Sequence, residues 1–244
     1  MYINKVSNNT SNNKLNFTSR KNPVKSFNIA SKLGDIKISE LDYDREVNLT
    51  LIEKLSRFFT ENFSKNTYYE PLIKIRCGTP AEKLKYQKEF DEYYSDIFNH
   101  KDNRDNLTML VGKDKDGRIL AGCLSYGYHY LPKGKDTTLY IDSVAVSPEL
   151  RGLQIAKTML EKTFEANQKS FNDVFLASTP MATTFYEKLG FKHMTRENPS
   201  QKVVLEKLDE ITDYMDCLTP FSKPLQSDKP RWYDVCADAI KNEK

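Results

Sequence analysis

Residues 140–156 read Tyr-Ile-Asp-Ser-Val-Ala-Val-Ser-Pro-Glu-Leu-Arg-Gly-Leu-Gln-Ile-Ala. A β-branched run that stops at Ser147-Pro148 and is followed by Arg151-Gly152 predicts a strand, a turn and a helix start. A helix start presents backbone N–H groups without intrahelical partners and the positive end of the helix dipole, and both suit a phosphate. Gly152 lets backbone approach an anion, and Arg151 adds a charge-assisted contact worth about 1.5–3 kcal/mol. On residue types alone this is a candidate anion site and no more, since many helices begin with Gly. Tyr126, Tyr128 and Tyr130 alternate along another expected strand and so share a face, either as sheet packing or as an aromatic pocket. Cys77, Cys123, Cys217 and Cys236 are far apart with no C-x-x-C pair, which signals neither a disulfide framework nor a zinc site and fits reduced thiols in a cytoplasm.

These residues need elements to hold them. Ile36, Ile38 and Leu41 suggest a strand, and Asp42 or Asp44 can cap a helix with Val47, Leu51, Leu55, Phe58, Phe59 and Phe63 on its apolar face. Thr79-Pro80-Ala81-Glu82 announces a second helix with a capping box, and Leu84, Phe90, Tyr94, Ile97 and Phe98 give it an apolar side. Residues 107–111 and 119–130 read as a hairpin turning at Lys115-Asp116-Gly117, and 137–146 as the next strand. A helix is expected from Pro148 to about Gln168, a buried strand at Val174–Ser178, and a short helix from Met181 to Leu189 ending at Gly190. Phe191–Thr195 and Lys202–Leu208 would close the sheet as a last hairpin. This order gives an α/β domain in which antiparallel hairpins surround one parallel crossover.

The 244 residues are enough for one large domain with attachments. A mean hydropathy of -0.65 and the lack of an 18-residue apolar run argue against a membrane span and for a soluble chain. The formal charge of +3 hides an asymmetry: residues 1–34 hold six Lys or Arg and no acid, which leaves 31 basic against 34 acidic residues in the rest. A nearly neutral body argues against a dedicated nucleic-acid binder. Residues 1–34 are expected to be a disordered, basic, Asn-rich tail, 35–208 the domain, and 209–244 an extension. In that extension Trp232, Val235, Cys236, Ala239 and Ile240 form one helical stripe that either docks on the domain or makes a homodimer or partner contact.

Two stretches carry a resemblance. Val144 to Ala156 resembles motif A of the GNAT superfamily of acyl-CoA-dependent N-acetyltransferases, Arg/Gln-x-x-Gly-x-Gly/Ala. Arg151 and Ala156 match it, and Gln154 stands where the family usually has Gly. Thr179 to Phe191 is similar to the second signature, Asn-x-x-Ala-x-x-Phe-Tyr-Glu-Lys-Leu-Gly-Phe, with Thr179 replacing the leading Asn. The resemblance covers roughly residues 35–208. It implies a GNAT-like mixed, mostly antiparallel central sheet flanked by helices and splayed between the fourth and fifth strands. Residues 42–106 match no motif and, in this family, shape the acceptor site.

The same resemblance implies acetyl transfer from acetyl-CoA, with no metal, to an amine that attacks the thioester directly in a ternary complex. Val144, Ala145 and Val146 would pair with the pantetheine arm and aim one N–H at the thioester carbonyl. Arg151, Gly152, Leu153, Gln154, Ile155 and Ala156 would hold the pyrophosphate, with Thr179 as a further cofactor contact. Tyr186 would be the general acid, since a phenol of pKa about 10 stays protonated at neutral pH. Asp142, two residues before Val144 and expected on the same strand face, would be the base; His129 and Glu149 are weaker candidates. Cys123 is expected to be a small buried hydrophobe. With Gln154 and Thr179 both departing from the signatures, a catalytically weak CoA-binding or partner-binding module on the same fold is the competing reading. Protein, polyamine, drug and metabolite amines all remain open as acceptors.

Overall fold

The structure is a computed structural model that describes residues 23–32, 34–100, 103, 106–211 and 218–242. Among these residues eight strands form one sheet: β1 (Phe27–Ile29), β2 (Ile36–Glu40), β3 (Thr108–Lys113), β4 (Ile119–Gly127), β5 (Thr138–Val146), β6 (Asp173–Ser178), β7 (Lys192–His193) and β8 (Thr219–Pro224). Their order across the sheet is β1-β2-β3-β4-β5-β6-β8-β7, with every pair antiparallel except β5 and β6. The helices are α1 (Tyr43–Glu46), α2 (Leu49–Phe63), α3 (Glu70–Cys77), α4 (Pro80–Asn99), α5 (Gly134–Thr137), α6 (Ile155–Asn167), α7 (Thr183–Lys188), α8 (Pro199–Ile211) and α9 (Trp232–Asn242).

Local chemistry explains the elements that frame the cleft. Thr79 accepts from the Glu82 N–H while the Glu82 carboxylate accepts from the Thr79 N–H, so α4 begins with a complete capping box and Pro80 in its first turn. The β3–β4 hairpin turns where Gly117 takes φ 79° and Asp114 accepts from the N–H groups of Asp116 and Arg118. The one helix expected after Asp42 is two. Asp42 caps α1, Val47 is extended, and Asn48 recaps α2 by accepting from the Leu51 N–H at 3.0 Å.

Hydrophobic residues fill both faces of the sheet. On one, Met159, Leu160 and Phe164 of α6 pack against Ile36, Ile38, Leu110 and Cys123. On the other, Leu55, Phe58 and Phe59 of α2 and Tyr94, Ile97 and Phe98 of α4 cover Met109, Val111, Leu124 and Tyr126. Leu84, expected among the apolar residues of α4, is exposed. Beside α2 and α4, α8 and α9 form a third cluster in which Trp232 and Cys236 meet Val204, Leu208, Tyr128 and Phe175.

Three expectations are corrected. Residues 23–34 are not all tail: β1 pairs Phe27 with Ile38, Val24 is buried, and its N–H donates to Glu40 at 2.7 Å. Residues 1–22 lie outside the described residues. Lys202–Leu208, expected as the closing strand, lies within α8, where Asn198 accepts from the N–H groups of Ser200 and Gln201. The strand that completes the sheet is instead β8, inserted between β6 and β7 from the segment read as an extension. A buried clamp fixes that segment. Arg231 Nε lies 2.6 Å from Asp173, the Trp232 N–H donates to the same carboxylate at 2.6 Å, and Trp232 Nε1 donates to Ser222 Oγ at 3.0 Å.

Candidate active site

The splay expected between the fourth and fifth strands is present, and lies between β5 and β6 because β1 adds a strand ahead of those expected. β5 and β6 pair from Thr138 with Asp173 to Ile141 with Leu176, and then part. Beyond that point β6 pairs only with β8, and β5 only with β4, so residues 142–146 offer an open strand edge. An open cleft of about 240 Å³ borders that edge at Val144, Ala145 and Val146. Ala182, Phe185 and Tyr186 line another side, Arg151 and Ala156 its end, and Asn62 and Phe63 of α2 close it. A larger hollow of about 330 Å³ lies between Tyr43, Asn48, Leu49 and Asn99 and holds none of the expected residues.

At the end of the cleft the chain does not enter a helix at Arg151 as expected. A short 3₁₀ turn at Pro148–Leu150 leads into the loop 151–154, and α6 begins at Ile155. Gly152 has φ 87° and Gln154 φ 57°, so two residues of this loop are left-handed. Gln154 lacks the freedom of glycine and strains the backbone where the motif has Gly. No side chain caps α6, and its first helical bond runs from the Thr158 N–H to Gln154 O at 2.9 Å, leaving the N–H groups of residues 155–157 without helical partners. Arg151 is exposed and has no ion-pair partner among the described residues. A loop with two left-handed residues, an uncapped helix start and an available guanidinium fits a diphosphate. Leu153 is exposed, Ile155 is buried in the core, and Thr179 precedes the turn at Pro180–Ala182, accepting from the Ala182 N–H. None of these three lines the cleft, nor do Gly152 and Gln154.

Tyr186 is half-buried against Phe185, Phe191 and Phe221, with ring centroids at 5.1, 5.7 and 6.1 Å. Burial first, and the nearby Cys123 second, raise its phenol well above the usual tyrosine value, so it keeps its proton. Cys123 is buried and its thiol is pushed up to about 12 by desolvation, which leaves it inert as a nucleophile.

Asp142 is not where the sequence put it. Leu124 pairs with Ser143 but Ser125 with Ile141, so Asp142 is the extra residue of a β-bulge in β5. The bulge reverses the alternation: Val144 packs toward α6, whereas Asp142 faces α4. There it accepts hydroxyl donors from Tyr93, from Tyr126 at 3.2 Å and from Ser143 at 2.7 Å. Burial raises its carboxyl above the usual range, with the three hydroxyls opposing in part. Tyr126 and Tyr128 do share a face, but β4 ends at Gly127, they pack under different helix pairs, and Tyr130 is 48% exposed. Glu149 is exposed beside Arg118, and the His129 ring stacks on His100 at 4.4 Å. Asn62, Phe63 and Tyr93 escaped sequence reasoning because no motif covers that segment. Tyr126 was visible only as one of three alternating tyrosines.

Among the described residues no helix is long and apolar enough to cross a membrane. Residues 75–191 match the model of the acetyltransferase (GNAT) family. PH1933 from Pyrococcus horikoshii has a similar fold at 15% identity and a TM-score of 0.51, over 78% of this chain and 98% of that one. Tetrahymena GCN5 is similar at 14% identity and a TM-score of 0.49, over 79% and 96%. The PaiA N-acetyltransferase of Thermoplasma acidophilum, in complex with coenzyme A, is similar at 15% identity and a TM-score of 0.46, over 78% and 98%. Among curated proteins none matches the sequence. The matched residues include both signatures and the strand that opens the cleft, and by these residues 75–191 form a domain of the acetyltransferase (GNAT) family.

Proposed function

We propose that the protein transfers an acetyl group from acetyl-CoA to an amine, which attacks directly within a ternary complex. The observation that carries this is the juxtaposition around one cleft of an open β5 edge, Tyr186 and Arg151, the first residue of an anion-suited loop. Acetyl-CoA supplies an acetyl thioester when bound. Arg151 and the N–H groups at the start of α6 hold its pyrophosphate, and the exposed backbone of Val144–Val146 pairs with its pantetheine arm. An N–H of that edge stabilises the oxygen that gains charge as the amine attacks. Tyr186 gives its proton to the departing sulfur, a role suited to a phenol that stays protonated.

Because the bulge turns Asp142 toward α4, the amine enters from that face of the sheet and leaves its proton on Asp142. A carboxyl raised by burial is a better base near neutral pH than an ordinary one. Gln154 and Thr179 favour the second reading, a module that binds CoA without efficient turnover. Calorimetric titration with acetyl-CoA, paired with thiol release over a panel of amines, separates the two. Binding with amine-dependent thiol release supports the enzyme, and binding without release supports the module.

A further inference from the structure

Phe63 ends α2, outside the residues that match the family, and its half-buried ring lines the cleft together with Val144, Val146 and Tyr186. The ring is backed by others. It stacks on Phe59 with centroids 5.7 Å apart and planes at 19°, and Phe59 stacks on Tyr94 of α4 at 5.4 Å and 19°. Neither ring behind it has room to retreat. Phe59 is fully buried and lies against the backbone of β4 at Gly122, where a β-carbon would come within 2.9 Å of its Cζ. Tyr94 is buried and shares a hydrogen bond of 2.8 Å with Ser143 Oγ of β5. Side chains packed this closely do not give way to an inserted group without strain, so this wall of the cleft is rigid.

We propose that Phe63 is a specificity-determining residue for the acyl group, a fixed stop that admits acetyl and rejects butyryl and longer chains. This rests on the proposed acetyl-CoA site and adds a limit on the donor it takes. Gly122 pairs with Ala145 and Tyr94 reaches Ser143, so the stack behind Phe63 runs back along β5, away from Arg151 at the diphosphate end. A cofactor with its diphosphate at Arg151 and its sulfur beside Tyr186 thus turns its acyl group toward Phe63. Asp142 and Tyr93, on the side from which the amine is proposed to enter, do not line this cleft, so Phe63 meets the donor and not the acceptor. An acetyl group ends one carbon beyond the thioester carbonyl. Butyryl carries two more, which must press the ring into Phe59.

Calorimetry on the full chain with CoA, acetyl-CoA and butyryl-CoA reads this stop directly and needs no turnover. The wild type should bind butyryl-CoA at least about tenfold more weakly than acetyl-CoA. Phe63→Ala should bring butyryl-CoA to within about threefold of acetyl-CoA and leave free CoA unchanged. Phe63→Leu keeps an apolar contact with Phe59 but shortens the wall; it should fall between the two, and it serves as the test where the Ala variant does not fold. Equal affinity of the wild type for acetyl-CoA and butyryl-CoA overturns the proposal while leaving the cofactor site in place. A folded variant that keeps the wild-type ratio of the two affinities also overturns it, including one that loses all three ligands in parallel, which would mark a structural role. Wild-type protein that binds none of the three overturns the cofactor site itself, and the stop with it.

Discussion

Tyr93 in α4 donates its hydroxyl to the carboxylate of Asp142 in the bulge of β5, a contact between residues 49 apart in sequence. The bond ties the helical segment that matches no motif to the strand that opens the cleft. It also places a carboxylate of raised pKa on the side from which the amine is proposed to enter.

Asp142→Asn should lower turnover by about 10²–10⁴-fold while acetyl-CoA affinity stays the same. Stability should move the other way. Burial raises the folded pKa of Asp142, so as pH climbs the unfolded chain releases this proton first, and ionisation then costs the native state stability. The neutral amide carries no such cost. Thermal denaturation at pH 7–8 should therefore show a midpoint equal to or above that of the wild type, and a large drop would make Asp142 structural.

Tyr126→Phe keeps the ring and removes one donor that favours the charged carboxylate. The acid limb of the kcat/KM profile, which rises as Asp142 ionises, should shift to higher pH. An unmoved or lowered limb would mean that another group is the base.

Gln154→Gly should raise stability by about 1 kcal/mol by relieving a left-handed residue, and should keep or improve acetyl-CoA affinity. A marked loss of affinity would show that the Gln154 side chain is itself a ligand. Arg151→Ala should weaken acetyl-CoA binding by about 1.5–3 kcal/mol without unfolding the chain. Isothermal titration measures both.

Deleting residues 1–28 should destabilise the protein, contrary to what the composition of that segment suggests. The cut removes the buried Val24 and most of β1, at a cost of about 1–3 kcal/mol. An unchanged melting temperature would show β1 to be dispensable.

What the sequence made legible was local. The Thr79 box and the Gly117 turn depend on side chains within a few residues of one another, and each took its expected form; the two signatures lie within the residues that match the family. The bulge at Asp142 was not legible because register belongs to a pair of strands, and one extra residue moves every later side chain to the other face. β8 was hidden by Pro220 and Pro224, which argue against a strand inside a sheet. In α8, Val203-Val204-Leu205 reads as β-branched strand. The helical signal was there in Asn198-Pro199 as a cap and in the burial of Val204, Leu205 and Leu208 at helical spacing.

The central claim is that Tyr186 protonates the departing thiolate across the cleft from β5. Tyr186→Phe retains the ring packed on Phe185, Phe191 and Phe221, and the hydroxyl has no hydrogen-bond partner among the described residues, so stability and acetyl-CoA affinity should change little. The direct measurement is single-turnover thiol release with a saturating amine acceptor, which separates chemistry from product release. The account predicts a decrease of about 10²–10⁴-fold in that rate. A Phe variant that releases thiol at the wild-type rate, with chemistry limiting, would contradict it.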